Sequence, residues 1–148
     1  MIQWLKGFFI AFILTYLLAS VLITLGNLSA VQGLGLDVSI GVGISAIAHD
    51  MTGMISSYLA LIAVGFLIAL PVAALLTKLM PNHRAVLYAL AGFTAVVAIH
   101  VIMKSVFGLW VFAPTRSLIG LIGQGLAGAV GGYVFHLVTT KPRNLVSS

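Results

Sequence analysis

Ser117–Val138 reads SLIGLIGQGLAGAVGGYVFHLV. The stretch lies between Arg116 and Lys141 and holds no charged side chain. A hydrocarbon core about 30 Å thick needs roughly 20 apolar residues of helix to cross it, so this run predicts a transmembrane helix. Three further stretches meet the same condition: about 7–25, about 55–76 and about 85–103. The first has the position of a secretory leader, but its apolar run exceeds the ~7–15 residues of such a segment, and it reads as an uncleaved helix.

Composition points the same way. Of 148 residues, 61% are hydrophobic and 6% are charged. The mean hydropathy is +1.23. A water-soluble domain usually carries about 25% charged residues on its surface. Seven Lys or Arg and two Asp or Glu side chains cannot coat a soluble bundle of this length. The predicted fold class is therefore an all-α integral membrane protein, a single transmembrane domain with four helices in an antiparallel bundle.

Basic residues predict the orientation. With the N-terminus inside, Lys6, Lys78, Arg84, Lys141 and Arg143 fall on the cytoplasmic side and Lys104 and Arg116 on the other, with Asp37 and Asp50 also outside. The positive-inside rule favours that arrangement, with both termini cytoplasmic, in the plasma membrane or the inner membrane of a bacterium. Trp4 and Trp110 suit the two interfaces.

Residues 26–53 form a Gly-rich outer segment between the first two helices. Gly33, Gly35, Gly41 and Gly43 make it a poor continuous helix. Val38–Ala48 is nonetheless apolar, which predicts a short interfacial or half-inserted helix leading into the second span. Pro71 inside that span removes a donor to the carbonyl of Leu67 and predicts a kink. The turn Met80-Pro81-Asn82-His83 is short, so the second and third spans should run side by side.

The glycines of the last span carry an association signal. Gly128 and Gly132 have GxxxG spacing, and Gly120 and Gln124 share their side of the helix. Small residues let helix backbones approach closely where lipid offers no hydrophobic drive, and an amide on that face can bond to a neighbouring helix. Packing within the chain is the plainer reading. The sharper one is an interface with a second copy or a partner subunit.

Chemistry is sparsely supplied. There is no cysteine, which removes disulfides, thiolate metal sites and thiol catalysis. No HExxH, nucleophile elbow or phosphate-cradling glycine loop is present. The net charge of +5 is scattered, with no basic run to bind nucleic acid. His100 and His136 fall near opposite ends of their spans, more than ~20 Å apart in depth, too far to share a haem iron. No cofactor is expected.

One cluster stands out at the outer end: His49, Asp50, His100, Lys104 and Arg116. An acid beside two histidines makes a candidate ion or proton site, with the metal, if any, undefined. The plainer reading is an ion pair of Asp50 with Lys104 or Arg116 that pins helix ends. These features predict a non-enzymatic membrane subunit, surrounded by the lipid bilayer and associating with itself or a larger complex through the glycine face. The alternative is a small oligomeric transporter or channel using the outer Asp and His residues. A lipid- or quinone-binding role rests on Trp110 and Phe112 alone.

Overall fold

A computed structural model describes residues 2–140. Lys141, Arg143 and the C-terminus, used above to assign orientation, lie outside the described residues. The described chain is all helical: α1 (Ile2–Gly33), α2 (Ile40–Gly53), α3 (Tyr58–Leu79), α4 (Arg84–Phe107) and α5 (Leu118–Thr139), with single 3-10 turns at Pro81–His83 and Ala113–Arg116. Helices α1, α3, α4 and α5 are long and apolar enough to cross a membrane. At 14 residues α2 is not: it measures about 21 Å against a core of about 30 Å.

Local chemistry sets the boundaries. Ser39 opens α2 by accepting from the Val42 N–H at 3.3 Å, and Ser117 opens α5 by accepting from the Gly120 N–H at 3.0 Å. Both satisfy amides that a helix start leaves without partners. Gly108 ends α4 in the left-handed conformation at φ 69°, which costs a glycine little. Pro71 lies inside α3, and the helix continues through it to Leu79.

The first helix is longer than its sequence suggests. It was expected to end near Leu25, yet it continues to Gly33. Gly26 acts as a packing residue, because a β-carbon there would strike the Pro114 ring. The chain turns only after Gly33, with Gly35 at φ 79°. A short helix does lie within 26–53, namely α2, but none of its residues is fully buried.

The long helices interlock through small residues. Along α1 and α5, Gly7 faces Phe135 and Thr139, Thr15 faces Gly131, and Ala19 faces Gln124. Between α4 and α5, Gly92 and Gly128 meet backbone to backbone, since a β-carbon on either would collide with the other's carbonyl. Gly132 meets the carbonyl of Tyr88 in the same way. Helix α3 is held to α4 where Gly65 receives Ile99 and Ala95. Phe12, Tyr16, Ile62, Phe66, Val96 and Phe135 fill the centre. The outer faces stay apolar: Ile68 is 64% exposed and Leu126 56%. Such a surface suits hydrocarbon as its solvent.

Candidate functional site

The end of the bundle that carries α2 holds a buried polar cluster built on Tyr58, His100 and Gln124. Tyr58 is the first residue of α3, His100 lies in the second half of α4, and Gln124 follows the capped start of α5. Their relative exposures are 1%, 2% and 1%. Polar groups so deeply buried need partners, because an unpaired one costs a large share of its desolvation energy.

Most of the partners are present. Gln124 Nε2 donates to the Ala19 carbonyl of α1 at 3.1 Å. The Tyr58 hydroxyl donates to Gln124 Oε1 at 3.0 Å. A carbonyl accepts only, so the Ala19 bond fixes which end of the Gln124 amide faces α1. His100 Nδ1 lies 2.9 Å from the Val96 carbonyl, and its Nε2 lies 3.4 Å from the Tyr58 hydroxyl. Three long helices and the backbone of the fourth therefore meet in one set of hydrogen bonds.

Phe112 closes the cluster from the α4–α5 connection. Its ring lies 4.9 Å from that of Tyr58 and 5.7 Å from the His100 imidazole, centre to centre. The Thr115 hydroxyl, itself buried, donates to the Phe112 carbonyl at 2.7 Å and holds that connection in shape.

A second set ties α2 to α1. The Thr24 hydroxyl sits 2.9 Å from Asp50 Oδ2 and 3.1 Å from the Ser20 carbonyl. The Tyr16 hydroxyl donates to the Met51 carbonyl. With no fully buried side chain on α2, these bonds are prominent among its attachments.

The five residues singled out at this end do not converge. His100 is buried in the cluster, and Asp50 is half-buried beside Thr24. His49 and Arg116 are exposed. The Lys104 ammonium lies 4.6 Å over the Trp110 ring, a cation–π contact. Among the described residues no group of three His, Cys, Asp or Glu side chains is placed to hold a metal ion. His136 lies away from His100, against Tyr88 and Tyr133.

On α5, Gln124, Gly128 and Gly132 are buried and Gly120 half-buried. Gly128 and Gly132 face α4, Gln124 reaches α1 and α3, and Gly120 abuts the Pro114 carbonyl. The glycine face is thus filled by the chain itself, so a partner would meet a different surface.

Tyr58, Tyr16 and Thr24 were not singled out in the sequence. A signal existed for the tyrosines: a phenol inside an apolar span must find a partner when buried. Nothing in Thr24 alone points to Asp50, which lies 26 residues away on α2.

Comparison with protein-family models, with curated proteins and with solved structures finds no match to this chain.

Proposed function

We propose that this chain is a non-enzymatic membrane subunit that associates with a second copy or with a larger membrane complex. The observation that carries the reading is a lateral groove of about 640 Å³ between α3 and α4. Ala69, Ala91 and Ala98 are among its lining, and Thr94 is its one polar side chain. Small residues facing lipid leave a helix surface that another helix can approach closely. The polar side chains of the buried cluster, by contrast, are engaged with one another and with backbone.

We place the chain in the plasma membrane, or the inner membrane of a bacterium, as an antiparallel bundle with cytoplasmic termini. The contacts of the start of α1 with the end of α5 support the antiparallel arrangement. Lys6, Lys78 and Arg84 at one end, against Lys104 and Arg116 at the other, support the orientation.

Native mass spectrometry after gentle extraction tests the subunit reading. Another polypeptide, or a second copy, bound to the chain is the expected result. A monomer that carries only lipid sinks it. Photo-crosslinkers at Val64 or Leu90, both lining the groove, should then capture the partner.

A small oligomeric transporter or channel is the second reading, favoured by the buried His100 cluster and the half-buried Asp50 at one end. It predicts that Asp50→Asn abolishes flux while the assembly survives.

A further inference from the structure

The buried cluster has one acceptor too many. His100 Nδ1 faces the Val96 carbonyl at 2.9 Å, and a carbonyl offers no proton, so Nδ1 must carry one. In the neutral imidazole Nε2 is then a bare acceptor. Gln124 Oε1 is a second acceptor, and the Gln124 amide cannot turn because its Nε2 serves Ala19 at 3.1 Å. Between the two stands one proton, that of the Tyr58 hydroxyl, 3.0 Å from Oε1 and 3.4 Å from Nε2. The shorter bond goes to Gln124. His100 Nε2 is left facing the lone pairs of the Tyr58 oxygen.

We propose that His100 Nε2 is a reversible proton-binding site. One added proton completes the set. Nε2–H then donates to the Tyr58 oxygen, Tyr58 donates to Gln124, and Gln124 donates to Ala19. The bonded chain runs from α4 through α3 and α5 to α1 with every member satisfied. No other bond between heavy atoms changes.

The surroundings bear on the charge this creates. From α3 the facing titratable group is Tyr58, backed by Tyr16 of α1, whose ring lies 6.2 Å from it. From α5 the facing group is Gln124, which is neutral. From the α4–α5 connection Phe112 presents its ring at 5.7 Å, where an aromatic face stabilises a cation. Asp50, on α2 against Thr24, and Asp37, in the connection before α2, are the acids at this end. Lys104 and Arg116 are exposed and screened by water and headgroups. The inference holds under either reading of function, and its test does not depend on finding a partner or a flux.

The test is nitrogen NMR of the full chain in lipid nanodiscs. His49, His83 and His136 are replaced by Gln, so that His100 is the one labelled imidazole of the four in the chain. Between about pH 8 and pH 4, a window reaching below the range in which exposed histidines titrate, the Nε2 resonance should pass from the bare to the protonated position. Nδ1 should stay protonated throughout. A bare Nε2 across the whole range overturns the proposal, as does a bare Nδ1 at the upper end.

Gln124→Leu supplies an independent check. It removes the competing acceptor, so Tyr58 can donate to the neutral imidazole. Proton affinity should fall about tenfold, the worth of one hydrogen bond to the neutral form. A folded variant with unchanged affinity contradicts the competition. Should the variant not fold, the titration of the parent decides.

Discussion

Gln124 on α5 and Ala19 on α1 are joined by a 3.1 Å hydrogen bond from the side-chain amide to the helix carbonyl. It fixes the orientation of a buried amide whose other end takes the Tyr58 hydroxyl at 3.0 Å. Tyr58→Phe strips the donor from Gln124 and removes the hydroxyl oxygen that faces His100 Nε2. Gln124→Leu strips a partner from Tyr58, which can turn to His100. The first should cost more stability, about 1–2 kcal/mol, and the second less than about 1 kcal/mol, as for hydrogen bonds between membrane helices. Reversible unfolding in mixed micelles measures the order. A larger loss for Gln124→Leu would contradict it.

Gly92 and Gly128 allow no side chain between α4 and α5. Gly128→Val should force the two helices apart and destabilise the fold by about 1–3 kcal/mol or more, in the manner of an overpacked core. Gly123→Ala, on the same helix with open space around its β-carbon position, should be close to neutral. Equal losses for the two would contradict the contact as the cause, because either substitution raises helix propensity.

Thr15 is buried with a hydroxyl that has no hydrogen-bond partner, lodged against Gly131. Replacing a buried unsatisfied group by an apolar one of similar shape removes a desolvation cost. Thr15→Val should therefore leave stability unchanged or raise it by about 1 kcal/mol. A lowered unfolding midpoint would show that the hydroxyl has a partner in the membrane.

Helix α2 is tied to α1 through Thr24 with Asp50 and Tyr16 with Met51. Tyr16→Phe combined with Asp50→Ala should loosen α2 alone. Hydrogen exchange at residues 40–53 should speed up by about tenfold or more, while α4 and α5 keep their protection, as expected for local opening of a weakly packed unit. Uniform acceleration along the chain would instead make α2 part of the global fold.

The four long apolar helices were legible because length and the lack of charge decide that question almost alone, as in Ser117–Val138. The end of α1 was not. Gly26 carries a weak breaking preference that the close fit to Pro114 outweighs, and nothing in the sequence announces that contact. Gln124 could be assigned to a neighbouring helix, since a buried amide on a glycine face has little else to do. Its partners could not, because Tyr58 lies 66 residues away and Ala19 lies 105. A shared end of the bundle does not by itself bring side chains together, and Arg116 and His49 are exposed.

The 32 residues of α1 extend about 48 Å. The stretch from Gly7 against Thr139 to Gly26 against Pro114 covers about 29 Å, close to the thickness of a bilayer core. Beyond it the helix carries Asn27, Ser29 and Gln32. A thicker membrane would draw those amides and the hydroxyl into hydrocarbon, and a thinner one would bare the apolar faces below them. Membranes that differ by a few ångströms in thickness are therefore unequal hosts for this protein, and the geometry of one helix is enough to sort it among them.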